Sequence, residues 1–88
     1  MAFDLNRPYR LSPSVALRPE PFGALAYHFG NRRLTFLKTP LMVEVVRLLD
    51  AHNSVAEALS AAGVPAAQHT RYAAALSALA DSEVIDAR

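Results

Sequence analysis

The apolar side chains of this chain change their spacing once, at Thr39 and Pro40. Before that point they alternate with polar or small residues, as in β-strands, and after it they recur every three or four residues, as in helices. Thr39 suits a helix N-cap and Pro40 suits the first helical position. Strands followed by helices within 88 residues predict an α+β fold, in which three helices cover one face of a small three-stranded antiparallel sheet.

The segment before the central hairpin predicts one short strand. Ser14–Arg18 alternates apolar residues with smaller or polar ones, and Pro19 and Pro21 are expected to end that strand because proline cannot donate to a ladder. A loop is therefore expected over residues 19–23. Residues 1–13 follow neither period and contain two prolines. They predict an irregular N-terminal arm on the single domain that a chain of this length forms.

The stretch Ala24–Lys38 predicts a β-hairpin whose turn is centred on Gly30 and Asn31. Gly-Asn suits a two-residue type II′ turn, because glycine readily adopts the positive φ of the first position. Antiparallel partners count back equally from the turn. The register that follows pairs Phe29 with Arg32, Tyr27 with Leu34, and Leu25 with Phe36.

The hairpin residues fall on two faces of different bulk, because successive side chains of a strand point to opposite sides. The large apolar side chains share the face that is expected to be buried: Leu25, Tyr27, Leu34 and Phe36. The other face is smaller and partly polar: Ala24, Ala26, His28, Arg33, Thr35 and Leu37. A ribbon of two strands is marginally stable alone in water, so it must pack against the rest of the domain.

The second half of the chain predicts three helices, over about residues 39–50, 54–63 and 65–81. A capping box, Ser54 to Glu57, begins the second helix, and Gly63 ends it. The third helix is expected to direct its large apolar residues to the core: Tyr72, Leu76 and Leu79. Val84 and Ile85 then cover the core as a short strand or tail.

Composition excludes several classes of function. There is no cysteine, so disulfides, iron–sulfur ligation and a cysteine nucleophile are absent, and the three histidines are far apart in sequence. The acidic residues are scattered singly, and no nucleophile motif or phosphate-binding glycine loop occurs. The chain is therefore predicted not to be an enzyme and to bind neither metal nor cofactor.

Charge and hydropathy restrict the partners. Nine basic and eight acidic residues give a net charge of +1, which disfavours nucleic acid as a ligand. No apolar run approaches the roughly 20 residues of a membrane span, and the first ten residues lack the apolar run of a signal peptide. A cytoplasmic protein without membrane contact is expected.

The third predicted strand, Arg32–Lys38, has one edge paired with its hairpin partner and one edge free. A free edge can accept an extended peptide as a further strand, held by main-chain hydrogen bonds, here expected at Arg33, Thr35 and Leu37. The third helix would form the other wall of a groove through a stripe that includes small residues. The candidate peptide-binding residues are Arg32, Arg33, Leu34, Thr35, Phe36, Leu37, Gln68, Arg71, Ala75 and Ala78. Alternatively, the basic residues of this strand only protect its edge from aggregation.

The stretch "RPEPFGALAYHFGNRRLTFLK", Arg18–Lys38, resembles the peptide chaperones of mycofactocin biosynthesis, within the PqqD-like precursor-recognition family. The resemblance implies a winged helix-turn-helix-like module without catalytic activity. It implies that the module binds the leader of a ribosomally made precursor peptide and presents it to a radical S-adenosylmethionine (SAM) maturase, which itself carries the iron–sulfur clusters. It also implies that the leader adds to the third strand, in the cleft against the third helix.

Two alternatives remain open from the sequence. A winged-helix DNA-binding regulator would require Arg32, Arg33 and Arg71 to converge on phosphate, with binding that weakens steeply as salt is added. An oligomerisation module would pair the same free edge with a second copy of the chain. The oligomeric state and the leader residues that are recognised are not determined by the sequence.

Overall fold

A computed structural model describes residues 3–88. Four strands precede Thr39, and three helices and a short last strand follow it. The strands are β1 (Tyr9–Leu11), β2 (Val15–Glu20), β3 (Gly23–His28), β4 (Leu34–Leu37) and β5 (Ile85–Ala87). The helices are α1 (Pro40–Leu48), α2 (Val55–Ala61) and α3 (His69–Asp81), with single 3-10 turns at Leu49–Ala51 and Ala66–Gln68. The predicted α+β class, with three helices and a three-stranded antiparallel sheet, is confirmed.

The first two helices begin at the residues that the sequence predicts, whereas α3 begins at His69 and not near Pro65, because residues Ala66–Gln68 form a 3-10 turn. The Met42 amide donates to the Thr39 hydroxyl at 3.1 Å, and the Glu57 amide donates to the Ser54 hydroxyl at 3.1 Å. Each hydroxyl satisfies one of the amides that a helix start leaves without an intrahelical partner. Gly63 follows α2 with a φ of 84°, the left-handed conformation in which glycine commonly ends a helix.

The hairpin register is confirmed, but the turn is not the predicted one. Leu25 lies opposite Phe36 and Tyr27 opposite Leu34. Instead of a type II′ turn, four residues separate His28 from Arg33, and the left-handed residue is Arg32, with a φ of 60°. Phe29 and Arg32 are therefore both in the loop and do not form a strand pair.

The His28 ring explains the longer loop. The amides of Gly30 and Asn31 donate to His28 Nδ1 at 3.0 and 3.1 Å, and the Arg32 amide donates to the His28 carbonyl at 2.8 Å. Three loop amides are thus satisfied by one residue, and the positive φ of the loop falls on Arg32 instead of Gly30. His28 therefore fixes the base of the loop.

The predicted faces of the hairpin are reversed. Ala24, Ala26 and Leu37 are buried, whereas Leu34 and Phe36 are 59% and 58% exposed. Helix α1 packs against β3, and alanine side chains let the helix approach the sheet closely. The bulky residues therefore lie on the face that no helix covers, which we call the outer face.

Proline at position 19 does not end β2, which continues to Glu20. The Phe29 amide donates to the Ser14 carbonyl at 2.8 Å, and hydrogen-bonded pairs alternate along an antiparallel ladder. Every second residue of β2 after Ser14 is therefore bonded to β3, and Pro19 is not one of them. Its nitrogen points to the free side of β2. Because β2 is an edge strand, no ladder bond is lost there.

Part of the predicted N-terminal arm is ordered as a strand. β1 pairs antiparallel with β5, with Arg10 opposite Asp86, and the Arg10 side chain binds the Asp86 carboxylate at 2.8 Å. Val84 and Ile85 are buried, as the predicted tail requires. Residues 1 and 2 of the arm lie outside the described residues.

The core lies between the inner face of the sheet and the helices. The largest fully buried side chains are Leu37, Leu49, Leu59, Leu76, Ile85, Val45, Val46, Val55 and Val84. Tyr72, predicted to face the core, is partly exposed at its edge. No helix within residues 3–88 is long and apolar enough to cross a membrane.

Candidate functional site

A groove of about 470 Å³ separates the free edge of β4 from helix α3. Its wall along the sheet comes from β4 and the start of α1, and its opposite wall comes from one face of α3. The residues that line it are Thr35, Phe36, Leu37, Lys38, Thr39, Met42, Gln68, Arg71, Tyr72, Ala75, Ala78, Leu79 and Ser82. We call this the β4–α3 groove.

Seven of the ten predicted site residues line the β4–α3 groove: Thr35, Phe36, Leu37, Gln68, Arg71, Ala75 and Ala78. The other three do not. Arg32 and Arg33 belong to the β3–β4 loop, and Leu34 is on the outer face at the loop end of β4. The structure thus brings the predicted strand and helix together, while the double-arginine segment lies beyond the groove.

Six lining residues were not predicted: Lys38, Thr39, Met42, Tyr72, Leu79 and Ser82. The sequence predicts that Tyr72 and Leu79 face the core, yet each follows a predicted stripe residue by one position. On a helix, residues three and four apart share a face. Extending the stripe to the fourth positions after Gln68, Ala75 and Ala78 would have included Tyr72, Leu79 and Ser82.

The main-chain groups at the free edge of β4 are those of Leu34 and Phe36. The His28 amide donates to the Arg33 carbonyl at 3.0 Å, and the Arg33 amide donates to Asn31 Oδ1 at 2.9 Å, so position 33 is in the hydrogen-bonded phase of the ladder. The next hydrogen-bonded pair along the ladder joins Ala26 to Thr35. Thr35 is therefore bonded to β3. The expectation that Arg33, Thr35 and Leu37 offer their main-chain groups is wrong, because the ladder alternates in the opposite phase.

Small side chains on α3 keep the β4–α3 groove open. Ala75 and Ala78 are exposed and lie three residues apart, so both face the groove. Below them, Leu79 is buried, as is Leu37 on the opposite wall. The floor of the groove is thus apolar, and its upper walls allow access.

The charges at the β4–α3 groove are all positive. Lys38 and Arg71 line it, and no aspartate or glutamate does. Within residues 3–88 the ion pairs are Arg10–Asp86 and Arg18–Glu20, so neither groove cation is neutralised by a carboxylate of the described chain. The groove therefore favours a ligand with a negative charge near an apolar segment.

No group of three histidine, aspartate or glutamate side chains that could hold a metal ion occurs among residues 3–88. Of the histidines, His28 caps the β3–β4 loop, and His69 Nε2 lies 2.9 Å from the Val64 carbonyl oxygen. Both rings thus have local hydrogen-bond partners. The chemistry that the groove offers is binding through main-chain groups, apolar contacts and two cations.

Comparison with known proteins identifies the family. Residues 8–86 match the model of the peptide chaperone MftB family. A peptide chaperone MftB of Mycobacterium ulcerans is 52% identical over 84 residues, covering 96% of this chain and 77% of the relative. Those of Mycolicibacterium smegmatis and Mycobacterium tuberculosis are 48% and 47% identical, covering 97% and 94% of this chain and 83% and 76% of the relatives. No solved structure matches the chain. The match spans both halves of the sequence, so the predicted resemblance is confirmed and the chain belongs to the peptide chaperone MftB family.

Proposed function

We propose that the chain binds the leader of the mycofactocin precursor peptide by adding it as a strand to β4, and presents the bound peptide to a radical SAM maturase in the cytoplasm. The observation that carries this proposal is the open edge of β4 beside the β4–α3 groove. As a member of a peptide chaperone family, the chain is not an enzyme, as its sequence predicts.

The edge of β4 supplies the affinity in this proposal. Leu34 and Phe36 each offer an amide donor and a carbonyl acceptor that β3 does not use. An added strand satisfies these groups in the manner of β-augmentation. The ligand needs no particular side chain for these bonds, so they position the peptide and leave selection to the side chains.

The β4–α3 groove supplies the selection. Its volume of about 470 Å³ falls within the range of roughly 300–1,000 Å³ that is typical of ligand sites. Side chains on one side of the added strand enter it and contact Tyr72 and Leu79, and a carboxylate at its rim is attracted by Arg71. The proposed peptide-binding residues are the lining residues together with Leu34 at the loop end of the β4 edge. Arg32 and Arg33 are in the β3–β4 loop and are not part of the proposed site.

The maturase is proposed from the resemblance of the sequence to precursor-recognition proteins. The chain has no cysteine, so iron–sulfur clusters and the SAM that they cleave belong to the partner. What this chain's residues do is hold the peptide in an extended form. The part of the peptide outside the β4–α3 groove then remains accessible to the enzyme.

A titration tests the proposal against its alternatives. Fluorescein-labelled mycofactocin precursor peptide, added to the purified chain, is expected to give saturable 1:1 binding by anisotropy, while a labelled DNA duplex gives none at 150 mM salt. The variant Phe36→Pro is expected to lose the peptide, with Phe36→Ala as the control for the ring. Binding of DNA with a steep salt dependence would favour the regulator, and peptide affinity unchanged by Phe36→Pro would exclude the edge.

Sedimentation at several protein concentrations tests the third alternative. A dimer that the precursor peptide does not dissociate would favour an oligomerisation module. A monomer that forms a 1:1 complex with the peptide, and a ternary complex when purified maturase is added, is the expected result.

A further inference from the structure

Large apolar side chains are exposed on the outer face of the sheet. The exposed members are Tyr27, Leu34 and Phe36 in the strands, with Phe22 and Phe29 in the adjoining loops. The rings of Phe22 and Phe36 meet edge to face with centroids 5.7 Å apart, and those of Tyr27 and Phe29 meet in the same way at 5.5 Å. Contiguous apolar patches on a protein surface usually mark binding sites.

The two most exposed of these side chains within strands belong to β4, and they are the same two residues whose main-chain groups face the free edge. Leu34 and Phe36 are 59% and 58% exposed. When a strand adds to this edge, its residues opposite Leu34 and Phe36 project to the outer face. Side chains directly opposite one another in a sheet have Cβ atoms roughly 5 Å apart. One added strand therefore contacts both the edge of β4 and this part of the outer face.

We infer that the captured peptide segment is recognised on both sides of its strand. Every second side chain is apolar and packs on Leu34 and Phe36 at the outer face, and the intervening side chains enter the β4–α3 groove. This inference rests on the proposed strand addition to β4 and adds the chemistry of the segment. Because the side chains on both faces of the added strand have apolar neighbours, the segment carries apolar residues at consecutive positions.

Charge defines one end of that apolar run. Lys38 and Arg71 line the groove without a carboxylate partner among the lining residues, and Arg33 lies at the other end of β4. At that loop end the Glu83 carboxylate accepts from the Asn31 side-chain amide at 2.9 Å, so the excess of positive charge lies at the end of the groove with Lys38 and Arg71. The ligand is thus a peptide whose apolar run has an acidic flank at the Lys38 end.

The test separates the outer face from the edge with one substitution. Leu34→Ser removes the exposed side chain and retains the amide, so strand addition remains possible. Losing about half of the burial of a leucine weakens binding of labelled precursor peptide by roughly fivefold. Phe29→Ser is the matched control, because Phe29 is 57% exposed but follows β3, and its amide bonds to the Ser14 carbonyl, on the β2 side of the sheet and away from the free edge of β4. It is expected to leave the affinity within about 1.5-fold.

A serine scan of the precursor peptide supplies the complementary measurement. Recognition on both sides predicts that consecutive positions in the bound segment lose affinity. A loss at alternate positions only would mean that the groove alone selects the peptide, and would overturn the inference. Thermal unfolding of each protein variant is expected to match the parent chain, since the substituted side chains are exposed.

The remaining outcomes distinguish this inference from the proposed function. Unchanged peptide affinity in Leu34→Ser, together with loss of binding in Phe36→Pro, overturns the outer-face contact and leaves strand addition intact. If neither substitution changes the affinity, strand addition fails as well. If Leu34→Ser leaves the peptide affinity unchanged and only weakens binding of the maturase, the outer face is a docking surface for the enzyme and the inference is wrong.

Discussion

Ala26 lies directly opposite Thr35 in the sheet, and this hydrogen-bonded pair determines which groups of β4 are free. The main chain of Thr35 is directed to β3, and the amides of Leu34 and Phe36 are directed away from it. Two prolines placed one residue apart are therefore expected to have opposite effects.

Thr35→Pro is expected to destabilise the fold, and Phe36→Pro is expected to abolish peptide binding with a smaller effect on stability. The first removes a ladder donor and leaves a buried acceptor without a partner, at a cost of about 1–3 kcal/mol. The second removes a donor that only the ligand uses. Chemical denaturation measures the first effect and fluorescence anisotropy the second. A stable Thr35→Pro protein that no longer binds peptide would reverse the assignment of the two amides.

Arg71→Gln is expected to weaken binding of the precursor peptide about two- to fivefold and to reduce its dependence on salt, because an exposed ion pair contributes up to about 1 kcal/mol. Arg71 lines the β4–α3 groove. Arg47→Gln is the control, since Arg47 is an exposed helix arginine outside that groove. Equal losses in the two variants, measured at 50 and 300 mM salt, would indicate a non-specific effect of net charge.

Gly23→Ala is expected to destabilise the domain by on the order of 3 kcal/mol, because a Cβ atom at position 23 would lie 2.2 Å from the Leu37 carbonyl oxygen. The contact is with backbone, so β3 or β4 must shift. Gly63→Ala provides the comparison. Its φ is 84° and nothing lies within 4 Å of the added atom, so only the left-handed conformation is penalised, by about 1 kcal/mol. Similar unfolding free energies for the two variants would contradict the steric argument.

Arg88→Met is expected to lower the free energy of unfolding by about 1–2 kcal/mol through loss of charged hydrogen bonds. The Arg88 guanidinium donates to the carbonyl of Tyr9 at 3.2 Å and to those of Leu49 and His52, which joins β1 to the turn after α1. The matched control is Arg10→Met, because Arg10 forms an exposed ion pair with Asp86 and its loss costs less than about 1 kcal/mol. Urea denaturation compares the two, and a larger loss in Arg10→Met would contradict this ranking.

The hairpin register could be predicted although the turn could not. Any symmetric loop centred between Gly30 and Asn31 gives the same pairing of Leu25 with Phe36. The conformation inside the loop depends instead on the His28 ring, which accepts two loop amides. Histidine is not among the residues that turn rules associate with such caps, so the sequence pattern favoured a shorter turn.

The buried face could not be identified from alternation alone. A period of two separates the residues into two sets, but both sets of this hairpin contain apolar side chains. Burial was decided by the helix, which packs closely on Ala24 and Ala26. The strand-and-helix groove was predicted because it depends on element order and on the helix stripe. Leu34 and Phe36 are exposed because the helix packs on the opposite face of the hairpin.

Pro19 makes the two edges of the sheet different. One rim carries a residue without an amide proton, and the other rim, at β4, has no such block. A strand that added along β2 would find no amide proton at position 19, whereas the β4 edge has no proline. The same imino acid therefore lowers the affinity of β2 for an extended segment and directs such a segment to β4.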